Sequence, residues 1–560
     1  FFSISTVVLY FFRFESYIVY ERVTFMSSGA RLYANLYHPI KKLDFQEKAP
    51  LVIFAHGLGS QKDLDPRIPT ELTKRGFYVA SIDYRGDGES EGHILDINSH
   101  SYRNRTDIPA IAQDCSKLLD KLSSMSIFTK INSSQIGLVG HSLGGMVALM
   151  NAALDKRFKV TVTWAGLVNF SASYFGIMGD HLFMKYIPSK IINKTNPTNL
   201  MIIHSIYDST VPYNENALVA QNLTDCKLVS INYHMFGGPH YLFTDKVIID
   251  TINWFELNFF KSETKNGPIE LSYVITYILL GLSLLGLTLT TIAVMKYLFK
   301  YFAIKDYSKE LNEFEKASQK QRSKKIKDTI IVLLSYIAFL SLWSLSLQHI
   351  GINSLFFVPI MVLLLYFALI FLKYIITAKV KGEKLNIYIR LRLVDEIKSQ
   401  FHKNVLLYSL VSTGIFLIFY FTFSLLYPFG FFTPVHLLSY ILTFEIYPLY
   451  LAFELFYRKI IYPRLDFIKS PTYKTIITAL METVNIFILI SFSWNLFLIT
   501  ATLAAYLIFL VVMVMNSIIY ERTNKFSSVM ISSFIIIQIF FGSITSTILG
   551  FGSIAHLLHV

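Results

Sequence analysis

Gly140-His141-Ser142-Leu143-Gly144 decides how the first half of this chain reads. Residues 135–140 are β-rich, and 146–153 form a good helical stretch. Ser142 therefore falls on a strand-to-helix turn, where Gly140 and Gly144 let neighbouring backbones pass closely. The N-terminus of the following helix favours negative charge developing at that serine. Three further pieces occur in the same half, each just past a short apolar run: His56-Gly57-Leu58-Gly59, then Asp208, then His240. A serine hydroxyl, an imidazole base and a carboxylate that steers the base are the parts of nucleophilic acyl transfer.

Short β-rich runs alternate with amphipathic stretches around these pieces. An opening hairpin is expected over 23–37, turning near Ser28-Gly29, with strands at 51–55, 77–83, 135–140, 160–164, 200–206 and 228–233. Helices are expected at 66–75, 107–122, 142–153 and 241–258. That alternation predicts a mostly parallel sheet with helices on both faces.

On these motifs the stretch from about Val23 to Phe259 resembles an α/β-hydrolase domain, most like the esterase, dienelactone-hydrolase-like and serine-aminopeptidase-like members. Asp83-Tyr84-Arg85-Gly86-Asp87-Gly88-Glu89-Ser90 resembles that family's Asp-X-Arg-Gly-X-Gly-X-Ser loop, and Asp208-Ser209-Thr210-Val211-Pro212 its Asp-X-X-Val-Pro turn. The resemblance implies Ser142 as nucleophile, Asp208 as acid and His240, in Gly237-Gly238-Pro239-His240, as base, with His234 as the alternative base. It also implies an oxyanion hole made by the backbone N–H groups of Leu58 and Leu143. The insert 167–197 stands where the family carries a cap, and Phe170, Tyr174, Phe175 and Met178, with Phe183, Met184 and Tyr186, are candidates for an apolar acyl site. His56 is expected to shape its turn, and His141 to point away from the base.

The chain has 560 residues, 53% of them hydrophobic and only 16% charged, against roughly 25% charged in a soluble protein. The deficit is localised. Residues 13–260 read as the hydrolase domain, 261–270 as a linker, and 271–560 as a series of long apolar runs. Eight membrane spans are expected, near 271–295, 329–348, 354–376, 405–426, 434–456, 475–491, 495–516 and 528–551. The fold class expected is thus an α/β hydrolase followed by an all-α multi-span bundle. Phe1 to Phe12 are apolar and fit the end of an N-terminal signal anchor or signal-peptide core.

Every second loop between the apolar runs is basic: 300–327, 379–403, 458–469 and 522–525 carry Lys and Arg, whereas 349–353 and 427–434 carry none. The basic loops are expected in the cytoplasm, which puts the hydrolase domain outside the cell membrane. Asn-X-Ser/Thr acceptors at Asn104, Asn132, Asn169, Asn193 and Asn222 are confined to that domain and fit a glycoprotein. The net charge of +13 is accounted for by those loops and does not point to nucleic acid.

Cys115 and Cys226 have no metal-ligand spacing with any His, so neither a metal nor a cofactor is expected, and both thiols are read as unpaired in preference to a bridge. Glu445, Glu454 and Glu482 lie in or near apolar runs; Glu454 is expected to pair with Arg458, while the other two show no partner in sequence. The function expected is a membrane-integral serine hydrolase cleaving an ester, thioester or amide of a small-molecule, lipid or peptide substrate. Its alternatives are a serine peptidase, or a transporter or receptor with a silent hydrolase-like head.

Overall fold

The computed structural model describes residues 19–302, 326–338, 364–426, 447–493 and 512–549, apart from short stretches within them, of which 99–107 is the longest. Residues 1–12 and the apolar runs 354–376, 434–456 and 495–516 fall wholly or largely outside the described residues, as do His234, Glu445, Asn104 and Met178.

Ten strands lie among the described residues: β1 (Val19–Ser27), β2 (Ala30–His38), β3 (Ala49–Ala55), β4 (Tyr78–Asp83), β5 (Ile97–Asn98), β6 (Ile108–Pro109), β7 (Ile131–His141), β8 (Val160–Trp164), β9 (Leu200–Ser205) and β10 (Lys227–Ile231). Eight of them form one sheet in the order β1-β2-β4-β3-β7-β8-β9-β10. The β1–β2 hairpin turns at Ser28 and Gly29, both at positive φ, and joins β4 antiparallel; every pairing from β4 to β10 is parallel.

A central parallel strand is buried on both faces, so it reads as an unbroken apolar run. In β3, Leu51, Ile53 and Ala55 point into one core layer and Val52 and Phe54 into the other, as the two-residue period of a strand requires. Helices Asp114–Ser123 and Leu143–Leu154 cover the first face, and Arg67–Lys74 and Asp245–Phe260 the second. Among these residues Cys115 and Cys226 are both free thiols.

The second half contains the helices Tyr273–Leu298, Lys403–Leu426, Pro471–Ser493 and Phe526–Leu549. Among the described residues, no helix is long and apolar enough to cross a membrane. The eight-span bundle read from hydropathy thus has no support among those residues, whose helix segments pack against one another around buried polar and charged side chains, including Glu454, Arg458, Glu482 and Asn516. The predicted solitude of Glu482 is corrected, since it meets Arg458 at 3.2 Å; Glu454 pairs with Arg458 at 2.8 Å as expected.

The linker is not a free tether. Arg75 donates to the carbonyls of Gly267 and Pro268, Lys74 to that of Glu270, and Glu71 accepts from the backbone N–H groups of Ser272 and Tyr273. Glu71 thereby satisfies N–H groups at the start of helix Tyr273–Leu298, which no intrahelical carbonyl can reach.

Candidate active site

Ser142 sits between β7 and helix Leu143–Leu154 with φ 54° and ψ −117°. That left-handed backbone is strained for a residue with a Cβ. It is imposed from both sides: Ser142 N–H donates to Trp164 O at 2.8 Å, and a Cβ on Gly140 would lie 2.1 Å from Gly144 O. A Cβ on Gly144 would meet Ala55 O at 2.2 Å, so the elbow is also pressed against the end of β3.

The three predicted side chains converge. His240 Nε2 accepts from Ser142 Oγ at 3.0 Å, and His240 Nδ1–H donates to Asp208 Oδ2 at 2.8 Å. All three residues are buried. Asp208 stands just past the end of β9, and its Oδ1 accepts the backbone N–H groups of Thr210 and Val211 at 2.9 and 3.0 Å. Burial works against its charge, but hydrogen bonding from His204 and His240 and the Val211 N–H prevail and hold its carboxyl well below the usual range. The acid therefore stays ionised and keeps the imidazole in the tautomer that accepts from serine.

Two histidines complete the frame. His204, at the end of β9, is fully buried, donates to Val211 O at 2.8 Å and lies 3.4 Å from Asp208 Oδ2. Sequence reading missed it, because a histidine inside an apolar strand carries no signal of its own. His141 corrects an expectation: its side chain does not point away from the base but donates from Nε2 to His240 O at 3.0 Å. Burial, and then the neighbouring His240, push His141 down to about 3, so it is a neutral brace for the base loop.

Behind the elbow lies the His56-Gly57-Leu58 turn. A Cβ on Gly57 would fall 2.7 Å from His141 Nδ1 and 3.4 Å from Ser142 Cβ, which puts this turn against the nucleophile, beside Leu143 at the helix start. His56 shapes it as expected: Nδ1 contacts Gly57 O at 2.9 Å, Nε2 lies 3.3 Å from Asp83, and its ring stacks on Tyr84. The Asp83–Ser90 loop is structural. Buried Asp83 pairs with Lys62 at 2.9 Å, and buried Arg85 pairs with Asp114 at 2.6 Å.

The insert folds as short helical turns, Ala172–Phe175, Leu182–Lys185 and Pro188–Ile191. Phe170, Tyr174, Phe175 and Phe183 form one aromatic cluster, with ring centroids 5.2–6.5 Å apart. Phe183 is fully buried in the domain core, whereas Tyr174 is 51% exposed. Desolvation of the Tyr174 hydroxyl, and then the Asp208 charge, push it above its ordinary value. Among the described residues no group of acidic, histidine or cysteine side chains could hold a metal ion.

A parallel sheet of this order, with serine on the strained elbow and an imidazole and carboxylate in line behind it, defines a serine hydrolase domain. Residues 65–266 match the model of the prolyl oligopeptidase family. Platelet-activating factor acetylhydrolase of Cavia porcellus is 23% identical over 165 residues, 23% of this chain and 38% of that protein. An uncharacterized 31.7 kDa protein of Escherichia coli is 35% identical over 120 residues, 21% of this chain and 37% of that one. The chain thus spans little more than a third of the length of these curated relatives. Among solved structures, Pyrococcus horikoshii acylaminoacyl peptidase is 17% identical with a TM-score of 0.34, covering 48% of this chain and 46% of that one. Acetyl xylan esterase 1 from Thermoanaerobacterium sp. JW/SL YS485 is 18% identical with a TM-score of 0.32, covering 46% and 93%.

Proposed function

We propose that Ser142 attacks an ester carbonyl, that His240 takes its proton and returns it to the leaving alcohol, and that water then releases the acyl group by the same base. Leu58 and Leu143 offer the backbone N–H groups for the oxyanion, and Phe170, Tyr174 and Phe175 an apolar wall for the acyl chain. The carrying observation is the unbroken line Ser142 Oγ–His240 Nε2 at 3.0 Å and His240 Nδ1–Asp208 Oδ2 at 2.8 Å. Cleavage of a peptide or other amide is the second reading, favoured by the family match over 65–266.

The domain is proposed to lie on the outer side of a cell membrane. Alternation of basic and uncharged loops supports this, as does the exposure of the acceptor residues Asn169, Asn193 and Asn222. A fluorophosphonate probe tests the nucleophile: wild-type protein reacts, and Ser142→Ala does not. Labelling that persists in Ser142→Ala overturns the assignment. Competing p-nitrophenyl esters of graded chain length against aminoacyl amides then separates the two readings.

A further inference from the structure

Among the described residues of the helical half, three charged side chains are fully buried: Glu454, Arg458 and Glu482. Arg458 Nε donates to Glu454 Oε2 at 2.8 Å, and its Nη2 donates to Glu482 Oε2 at 3.2 Å and to Met513 O at 3.3 Å. The other oxygen of Glu454 is filled by the Tyr450 hydroxyl at 2.6 Å and Asn516 Nδ2 at 2.8 Å. Ser532 donates to Asn516 Oδ1 and fixes that amide. Glu482 differs. Its Oε1 is buried and has no hydrogen-bond partner among the described residues, and the same holds for Arg458 Nη1. Arg458 also lies in the π-helical turn Phe456–Ile461, a distortion frequent at functional sites.

Charge counting shows what is missing. Two carboxylates against one guanidinium leave one negative charge uncompensated, and the cost of burying that charge raises the affinity of the cluster for a proton. Among the described residues, the surrounding elements do not supply the missing cation. Tyr336, which stacks on Phe456 and feels the Glu482 charge, Tyr450 and Tyr457 are neutral phenols. Glu521, bonded by Thr475, is a further acid; Lys474 lies over the Tyr462 ring and Lys459 over the Tyr520 ring.

A proton needs no cavity, only one free oxygen, and Glu482 Oε1 is that oxygen. We propose that the Glu454–Arg458–Glu482 cluster is a second ligand site, whose ligand is a proton that Glu482 takes up and releases. Release leaves the Glu482 carboxylate and a proton in solvent, and the spare Nη1–H of Arg458 is the donor that then answers the carboxylate.

Dicyclohexylcarbodiimide tests this on the full chain, since it adds to protonated carboxyls in apolar surroundings and leaves a covalent mass tag. The tag is expected at Glu482, declining about tenfold per pH unit above the titration point. Glu482→Gln abolishes it. Glu454→Gln, which balances the cluster without a proton, weakens it. Fluorophosphonate labelling of Ser142 in each variant, with a melting curve, verifies that the protein is folded. A tag on Glu454 instead, no tag on Glu482, or a tag on Glu482 of constant yield across pH overturns the proposal; the last outcome marks a fixed structural proton.

Discussion

The Tyr273 hydroxyl, in the first turn of helix Tyr273–Leu298, donates to Asp245 Oδ1 at 2.7 Å, just beyond the base His240. Its ring meets Phe243 edge-on at 5.9 Å. Arg67 lies over the rings of Trp164 and Phe243 and donates to Leu242 O at 3.4 Å. The loop that delivers the imidazole is thus clamped between its own domain and the first helix of the second half.

Tyr273→Phe keeps the ring contact and removes only the hydroxyl. A net loss of about 0.5–1.5 kcal/mol in loop positioning corresponds to a fall in kcat of roughly 2- to 10-fold. Steady-state kinetics on the full chain is expected to show that fall with KM unchanged. A change confined to KM would instead put Tyr273 against the substrate.

Asp208→Asn retains the shape of the acid but loses its charge, and the amide favours the wrong imidazole tautomer. Turnover is expected to drop by a factor on the order of 10⁴. Stability carries a second signature. The folded carboxyl titrates well below the usual range, so its stabilisation is complete above about pH 4 and is lost as pH falls toward the folded value. Melting curves of the wild type should therefore decline more steeply on acidification than those of Asp208→Asn.

Asp87 behaves in the opposite sense. It is buried under the His56 turn, and neither of its oxygens has a hydrogen-bond partner in the described structure, because the Tyr84 hydroxyl donates to His56 O at 3.0 Å. Burial raises it to about 7, with His56 opposing and Asp83 adding to the rise. A carboxyl raised on folding holds an extra proton in the native state, so stability falls with rising pH between its unfolded value and about 7. The slope is about 1.4 kcal/mol per pH unit. Asp87→Asn is expected to flatten that dependence and to be the more stable protein at neutral pH; an unchanged slope would show that Asp87 is ionised throughout.

The hydrolase half was legible because each motif carries its own physical constraint. Gly140 and Gly144 are dictated by backbone approaches that no Cβ survives, and β3 is an uninterrupted apolar run because both its faces are covered. The bracing role of His141 was not legible, since it depends on a contact with His240 in a distant segment; His204 was not, since a histidine inside an apolar strand carries no signal of its own even with Asp208 four residues further on. In the second half hydropathy registered the apolar runs but not how Arg458 draws Glu454 and Glu482 together, because Glu482 lies 24 residues further along the chain.

Within the cap, Tyr174 and Phe183 belong to one aromatic cluster but face different surroundings, and substitution should separate them. Phe183 is fully buried and packs on Phe170 and Phe175. Phe183→Ala empties that volume and is expected to cost roughly 3–5 kcal/mol of stability, read as a lowered unfolding midpoint with chain-length preference kept. Tyr174 is 51% exposed, so Tyr174→Ala removes little core packing and, at the proposed acyl wall, opens room beside Ser142. Its expected effect is a shift of preference toward bulkier acyl groups at near-unchanged stability, measured as kcat/KM across a series of p-nitrophenyl esters. Equal losses on every ester, accompanied by a lower melting temperature, would show that Tyr174 supports the cap without touching the acyl chain.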